Sequence, residues 1–283
     1  VARVDGASAR GPGAFAERVR FLWLTPAQDR LFLEGAGERR RFLDRMALAR
    51  DAAHARVASD YETAMRERQR LLEDGPREAS WLQALEARMA AAGVALAAAR
   101  RETAASLAAA QSAEGAVDLD AYGFPRADVA LAGDVEAALG EAPADAVEDA
   151  FRARLLALRR RDAEAGRSTY GPHRTDLRVA HRAKGQPARL CSTGEQKALL
   201  VGLVLANALT LARGAGAPIV VLLDEIAAHL DADRRAALYD VIEATGLQAF
   251  MTGTDKDLFA AWGGRAQGFA IGDGDARETA LGG

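Results

Sequence analysis

The chain has 283 residues, of which 49% are hydrophobic and 27% charged, and its formal net charge is −3. This composition is typical of a soluble globular protein, and the length favours two lobes over a single core. No run of the sequence approaches the roughly 20 apolar residues of a membrane span. The acidic balance argues against an overall basic nucleic-acid binder. A single cysteine, Cys191, excludes an internal disulfide and a CxxC metal site and agrees with a reducing, cytosolic compartment.

The first predicted segment, residues 1–33, contains a β-strand. Val19, Phe21 and Trp23 alternate along the chain and therefore lie on one face of an extended run. Because one strand needs neighbours, this segment is predicted to belong to a sheet whose other strands come from elsewhere in the chain.

A helical lobe is predicted over residues 34–165. Apolar residues recur at steps of three and four from Glu38 to Leu72, which predicts one helix of about 35 residues and about 50 Å. The run Asp74-Gly75-Pro76 ends this helix. A second apolar stripe from Trp81 to Leu96 predicts another helix, and antiparallel pairing of the two is the simplest arrangement.

The last predicted segment, residues 166–283, alternates helix and strand. A helix is predicted from Glu195 to about Leu211, a strand over 218–223, a helix over about 233–244 and a strand over 247–252. This order predicts parallel strands joined by right-handed crossovers.

An acidic pair, Asp224-Glu225, follows the apolar strand at 218–223. The carboxyl end of a parallel strand is where open α/β sheets place a ligand. One carboxylate can bind Mg²⁺ while the second orients the water that attacks a phosphoanhydride, so the pair predicts a Mg-nucleotide site. Because acidic residues often follow apolar strands, the pair alone leaves a purely structural role open.

A second motif, Ser192-Thr193-Gly194-Glu195-Gln196-Lys197, lies 32 residues before Asp224. Ser192 and Glu195 fit a helix capping box, which is a structural interpretation. Gly194 favours a phosphate-binding role, because glycine lets backbone amides approach an anion at a helix N-terminus. No G-x-x-x-x-G-K-[ST] phosphate loop occurs in the 283 residues, so half of the expected nucleotide site is not in this sequence.

Arginine is unevenly distributed, with local clusters within residues 39–50, 152–161 and 178–189. Such patches can steer a phosphate backbone even on an acidic protein, although a solvated helix face is the alternative. The candidates for DNA contact are Arg39, Arg40, Arg41, Arg174 and Arg178.

Three blocks of sequence together resemble the RecF family, which belongs to the SMC and Rad50-like group of ABC-type ATPases. Pro26–Asp44 is similar to the first family block, although Ala27 and Ala36 stand where an acidic residue and a proline are more usual. Tyr170–Leu177 matches the GPHR-x-D-L block, and Leu222–Leu238 matches the second family block. The resemblance covers essentially the whole chain.

The resemblance implies an α/β fold: an ABC-type ATPase head, here the C-terminal part of a P-loop NTPase sheet, with an inserted helical lobe. It implies ATP and Mg²⁺ as cofactors, with Asp224 on the metal and Glu225 as the catalytic residue. Ile226–Asp231 is similar to the D-loop of these ATPases, where His229 is either an interface histidine or couples the two sites. The residues expected to contact nucleotide are Ser192, Thr193, Gly194, Glu195, Gln196, Lys197, Asp231 and Thr252. Those of the signature motif are expected to make this contact across a dimer.

The function implied by the resemblance is recombinational DNA repair in the bacterial cytoplasm, at the nucleoid and without a membrane. The family forms an ATP-dependent homodimer that binds single-stranded and gapped duplex DNA and loads recombinase with RecO and RecR. Thr252-Gly253-Thr254 stands where many ABC ATPases have a switch histidine, so slow turnover is expected. The family's N-terminal part with the phosphate loop is missing, so the chain as given is expected neither to bind nor to hydrolyse ATP.

Two other functions remain open at this point. A metal-dependent nuclease could use Asp224, Glu225 and Asp231 as ligands of two metal ions, but it leaves the signature motif without a role. A non-enzymatic helical interaction protein would use the acidic pair only as a helix cap. ATP-dependent dimerisation separates both from the ATPase interpretation.

Overall fold

The computed structural model of the chain describes residues 3–4, 6–8, 18–75, 79–112, 117–214, 216–226, 230–272 and 274–281. The chain divides into two compact units. The first contains Val1–Leu33, Leu107–Asp128 and Ala180–Gly283, and the second contains Glu34–Ser106 and Val129–Val179. The three-part division stated from the sequence stays a prediction.

The described residues form both α-helices and β-strands. The helices are α1 Ala36–Arg50, α2 His54–Asp74, α3 Ala79–Ala110, α4 Asp134–Ala138, α5 Ala144–Ala165, α6 Thr193–Arg213 and α7 Ala232–Thr245. The strands are β1 Arg3–Val4, β2 Ala7–Ser8, β3 Arg20–Leu24, β4 Ala127–Ala132, β5 Asp176–His181, β6 Gln186–Pro187, β7 Ile219–Leu223, β8 Gln248–Met251, β9 Gly268–Gly272 and β10 Asp275–Thr279.

The first unit is built on a sheet of order β3-β7-β8, in which both neighbouring pairs are parallel. Leu22 pairs with Val221 and Val221 with Ala249. The predicted parallel arrangement of the last strands is therefore confirmed. All three strands end at one edge of the sheet, where the chain continues into polar residues.

Helix α6 packs against this sheet and forms the core of the first unit. Leu199 and Leu203 are fully buried, and buried residues occur on every side of the helix, which explains why its sequence is apolar all round. By length and composition alone α3 and α6 would also pass as membrane spans, a property that inspection of the sequence missed. In α6, however, 78% of the most apolar window is buried inside the protein, as in a core helix.

The second unit contains the helical lobe, and one expectation for it is wrong. The single helix expected from Glu38 to Leu72 is two helices, α1 and α2, with a break at Asp51. The Asp51 backbone is extended, and its carboxylate accepts the Ala53 backbone N–H at 2.8 Å. A short polar side chain that bonds the nearby backbone competes with the helix, which is the physical cause of the break.

The end of α2 and its pairing with α3 agree with the prediction. Gly75 terminates α2 with a positive φ of 81°, and Pro76 lies outside the described residues. Tyr61 of α2 lies against Gly93 of α3, whereas Arg68, further along α2, bonds Glu86, which comes earlier in α3. The helices are therefore antiparallel.

Candidate nucleotide-binding site

The acidic pair at the end of β7 is held by one threonine at the end of β8. The Thr252 hydroxyl donates to Asp224 Oδ1 at 2.6 Å and accepts the Glu225 backbone N–H at 3.1 Å. The Asp224 N–H donates to the Leu24 carbonyl at 2.9 Å, which extends the sheet pairing by one residue. One hydroxyl thus bonds the predicted metal ligand Asp224 and the backbone of the predicted catalytic residue Glu225. A contact between Thr252 and nucleotide stays a prediction.

Glu225 has a strained backbone. Its φ is 58°, and it is the only non-glycine residue with a positive φ in the described part of the chain. A bulky L-residue in this conformation costs about 1–2 kcal/mol, and such strain concentrates at functional sites. The strain is consistent with the predicted catalytic role of Glu225, which stays a prediction.

The predicted capping box at the start of α6 is present. Ser192 N–H donates to Glu195 Oε2 at 3.0 Å, and the Ser192 hydroxyl accepts the Glu195 N–H at 3.4 Å. Lys184 also donates to the Glu195 carboxylate. The bond from Lys184, followed by those from Ser192, lowers the pKa of Glu195 to about 2. Glu195 is therefore an anion that already has its partners within the chain.

The tip of α6 meets the start of α7. A Cβ atom at Gly194 would lie 3.3 Å from the guanidinium of Arg234, which itself pairs with Asp231 at 3.2 Å. Asp231 caps α7 by accepting the Arg234 backbone N–H at 2.8 Å. Arg234 thus lies beside Gly194 and pairs with Asp231, two residues that are predicted to contact nucleotide. Ala227–His229 lie outside the described residues, so the D-loop role of His229 stays a prediction.

The second half of the signature motif is internal. The Gln196 side chain is buried and donates to the Cys191 carbonyl at 2.9 Å. Lys197 is buried as well and pairs with Asp29 at 2.7 Å. By contrast, Ser192, Thr193 and Gly194 are exposed. The face that a ligand can reach from outside is therefore the Ser192–Gly194 tip, and nucleotide contacts by Gln196 and Lys197 stay predictions.

The donor set at the strand end fits Mg²⁺ that is shared with a nucleotide. Thr252 occupies only one oxygen of the exposed Asp224 carboxylate. Among the described residues no group of three or more His, Cys, Asp or Glu side chains could hold a metal ion. Mg²⁺ is commonly held by one or two carboxylates plus substrate phosphates, which matches this arrangement. No such cluster within the described residues supports the two-metal nuclease alternative.

Two of the arginines predicted to contact DNA, Arg39 and Arg40, bond the GPHR-x-D-L block inside the second unit. Arg39 pairs with both oxygens of Asp176 at 2.7 and 3.0 Å. Arg40 donates to the Thr175 carbonyl at 2.7 Å. The first family block and the GPHR-x-D-L block are therefore bound to each other, which gives these motif residues a structural role. DNA contact by Arg39 and Arg40 stays a prediction.

The other three arginines differ in how open they are. Arg41 is paired with the exposed Glu38 one helical turn away. Arg174 and Arg178 are exposed, and within the described part of the chain neither forms an ion pair. Arg174 and Arg178 are thus better placed for an external phosphate than Arg39 and Arg40.

The GPHR turn is packed closely against the helical core. Gly171 has φ 133° and ψ 176°, and a Cβ atom there would lie 2.3 Å from the Tyr61 hydroxyl. His173 Nε2 lies 3.0 Å from the Ser168 carbonyl and therefore donates, so Nδ1 accepts the Tyr61 hydroxyl at 2.7 Å. Burial, and then Arg174, lowers the pKa of His173. The neutral ring is thus favoured.

Sequence reasoning missed three residues that support the site: Asp29, Lys184 and Arg234. Asp29 binds Lys197, which is 168 residues away, and Lys184 binds Glu195 across 11 residues, so neither pair falls within one helical turn. Arg234 was detectable, because it follows the predicted Asp231 by three residues, which is one helical turn.

Comparison with known proteins identifies many close relatives. The chain is 51% identical over 279 residues to the DNA replication and repair protein RecF of Mesorhizobium japonicum, an alignment that covers 98% of this chain and 72% of that protein. It is 50% identical over 272 residues to RecF of Allorhizobium ampelinum, covering 96% and 71% of the two chains. No family model matches the chain.

Two solved structures share the fold. One is described as the recombination mediator protein RecF-ATPrS in the RecFOR pathway, with a TM-score of 0.80 and 20% identity. The other is described as RecF-ATP in the same pathway, with a TM-score of 0.78 and 21% identity. Each alignment covers 98% of this chain and 72% of the solved one. The predicted ABC-type ATPase fold is confirmed, and the chain belongs to the RecF family of DNA replication and repair proteins.

Proposed function

We propose that the protein is an ATP-dependent, dimerising DNA-binding protein of recombinational repair. The observation that carries this proposal is the arrangement at the end of β7, where Thr252 fixes Asp224 and the strained Glu225 side by side. A metal carboxylate next to a water-orienting carboxylate is the pair that phosphoanhydride hydrolysis requires. The names RecF-ATP and RecF-ATPrS of the solved relatives support ATP as the nucleotide.

Within this site Asp224 and Glu225 have different tasks. Asp224 is exposed and has one carboxylate oxygen that Thr252 does not engage, so it is the metal ligand. Bound Mg²⁺ would neutralise charge on the β- and γ-phosphates. Glu225 is half-buried and orients the attacking water.

The signature tip acts on a nucleotide held by a second copy of the chain. Ser192, Thr193 and Gly194 are exposed at the N-terminus of α6, a 21-residue helix whose dipole favours an anion. Because the phosphate loop is the part of the site absent from this sequence, the tip contributes the opposite wall. ATP bound between the two walls links nucleotide occupancy to dimerisation.

DNA binding follows from dimerisation in this proposal. Arg174 and Arg178 are the arginines most open to a DNA backbone, and two copies double their number in one complex. The solved relatives are named as RecF of the RecFOR pathway, which supports RecO and RecR as partners. The protein then acts in the cytoplasm, at single-strand gaps, in loading recombinase.

The proposal is tested with Glu225→Gln in a chain completed by an N-terminal phosphate-loop segment. We expect ATP binding and dimerisation to persist while hydrolysis slows by about 10²- to 10⁴-fold, the usual effect of losing a general base. Glu278→Gln, on the exposed strand β10, is the matched control and should leave the rate unchanged. Hydrolysis by Glu225→Gln at the parental rate would show that Glu225 has another role.

A further inference from the structure

The second unit contains a cavity of about 470 Å³ with a strongly basic lining. Four arginines contribute to its wall, and none of its lining residues is an aspartate or a glutamate. The arginines are Arg40, Arg66, Arg167 and Arg174. None of these residues belongs to the strand-end carboxylates or to the signature motif, so the cavity shares no residue with the proposed ATP site.

The local chemistry of the cavity is that of an anion site. His173 also lines the wall, and Arg174 and Arg40 lower its pKa beyond the effect of burial. Asp162, a buried carboxylate that acts on His173, is already bonded by Arg68 at 2.7 Å. No lining residue carries a negative charge, and the Glu73 carboxylate bonds the wall residue Gln69 at 2.9 Å.

Two of the wall arginines, Arg40 and Arg167, are hydrogen-bonded to backbone carbonyls. One guanidinium N–H of Arg40 is anchored on the Thr175 carbonyl at 2.7 Å, which leaves its other donors available. Arg167 follows Gly166, the left-handed cap of α5 with φ 61°, and its N–H donates to the Asp162 carbonyl at 3.2 Å. The bond to Thr175 limits the side-chain entropy that Arg40 loses on binding a ligand, while the bond to Asp162 fixes only the backbone of Arg167.

We propose that this cavity binds a phosphomonoester carried by a nucleotide-sized group. Arginine forks match phosphate oxygens, and a terminal phosphate carries about −1.5 to −2 charges and three acceptor oxygens that several arginines can share. The volume lies in the range of roughly 300–1,000 Å³ typical of small-ligand pockets, so it holds one nucleotide and not a duplex. The same chemistry has two sources, a free nucleoside monophosphate or the phosphorylated end of a DNA strand. Only the second source rests on the proposed DNA-binding function.

Calorimetry on the chain at fixed ionic strength and without ATP tests the proposal. The probes are deoxyadenosine 5′-monophosphate, deoxyadenosine, and one oligonucleotide with either a 5′-phosphate or a 5′-hydroxyl. The double variant Arg66→Ala/Arg167→Ala removes two exposed wall arginines. Arg70→Ala/Arg160→Ala is the matched control, since it makes the same charge change on exposed arginines of α2 and α5 that do not line the cavity.

We expect the monophosphate to bind and the nucleoside not to bind. The wall variant should weaken monophosphate binding at least about tenfold, since it removes two charge-assisted bonds, while the control should change it less than about twofold. If the chain prefers the 5′-phosphorylated oligonucleotide and the wall variant loses this preference, the source is the phosphorylated strand end. If only the free nucleotide binds, the source is a free nucleoside monophosphate. Equal binding of nucleoside and monophosphate, or equal effects of the two double variants, overturns the proposal. Because ATP is absent, these results do not depend on ATP-driven dimerisation.

Discussion

Replacing Gly171 by alanine should destabilise the second unit far more than an ordinary glycine-to-alanine change. Gly171 has φ 133° and ψ 176°, a conformation that is essentially restricted to glycine. An added Cβ atom would lie 2.3 Å from the Tyr61 hydroxyl and 3.0 Å from the Phe151 ring. Both side chains are only 1% exposed, so neither can swing away into solvent.

The expected size of this effect has two parts. Backbone strain in this region costs about 1–3 kcal/mol, and overpacking a tight core costs typically about 1–3 kcal/mol. Gly171→Ala should therefore lower the free energy of unfolding by about 2–6 kcal/mol. Gly166→Ala is the matched control, because Gly166 also has a positive φ but its added Cβ atom would meet nothing within 4 Å. It should cost only about 1–2 kcal/mol.

Urea-induced unfolding of the three chains measures the difference. In a Tyr61→Phe background the hydroxyl at 2.3 Å is gone, so the added cost of Gly171→Ala should shrink by about 1 kcal/mol or more. If Gly171→Ala costs no more than Gly166→Ala, the close approach of the GPHR turn to the helical core is wrong.

Three further predictions concern polar contacts. Thr252→Val removes the hydroxyl that bonds Asp224 and should slow ATP hydrolysis in a completed chain and lower the unfolding free energy by about 1 kcal/mol, as measured by turnover and urea titration. Lys184→Ala removes the largest cause of the low pKa of Glu195, about 2, which should rise toward 4.5 in an NMR titration. Because the pKa of Glu195 is depressed in the folded state, the stability that it contributes is present above about pH 4.5 and is lost as the pH falls toward 2. The Lys184→Ala variant should therefore lose less unfolding free energy between pH 4.5 and pH 2 than the parent chain. Arg68→Met leaves the buried Asp162 carboxylate without its cation, while Glu86 keeps its pair with Arg159, and should cost about 3–5 kcal/mol in urea unfolding.

The sheet and the strand-end carboxylates could be predicted from the sequence because their signals are local. The apolar run at 218–223 and the acidic pair that follows it specify a buried parallel strand and its ligand-binding end without reference to distant residues. The capping box at Ser192 is equally local, since both partners lie within one helical turn.

The roles of the arginines could not be predicted in this way. Arg39 and Arg40 look like a solvated basic cluster in sequence, but their partners Asp176 and Thr175 lie more than a hundred residues away. Which arginines remain open to a phosphate is decided by tertiary pairing and not by local charge density. The break at Asp51 could not be predicted either. The apolar period continues on both sides of Asp51, but the bond from its carboxylate to the Ala53 N–H ends the helix there.

The most direct measurement of the central claim is the ATP-driven dimerisation of a completed chain that carries Ser192→Arg. The claim is that the exposed Ser192–Gly194 tip binds a nucleotide held by a second copy. Sedimentation with ATP should show loss of the dimer, while ATP affinity of the monomer stays nearly intact and Ser112→Arg, at another exposed serine, still dimerises. A dimer that persists in Ser192→Arg, or a monomer that loses ATP affinity to the same degree as dimerisation, would contradict the claim.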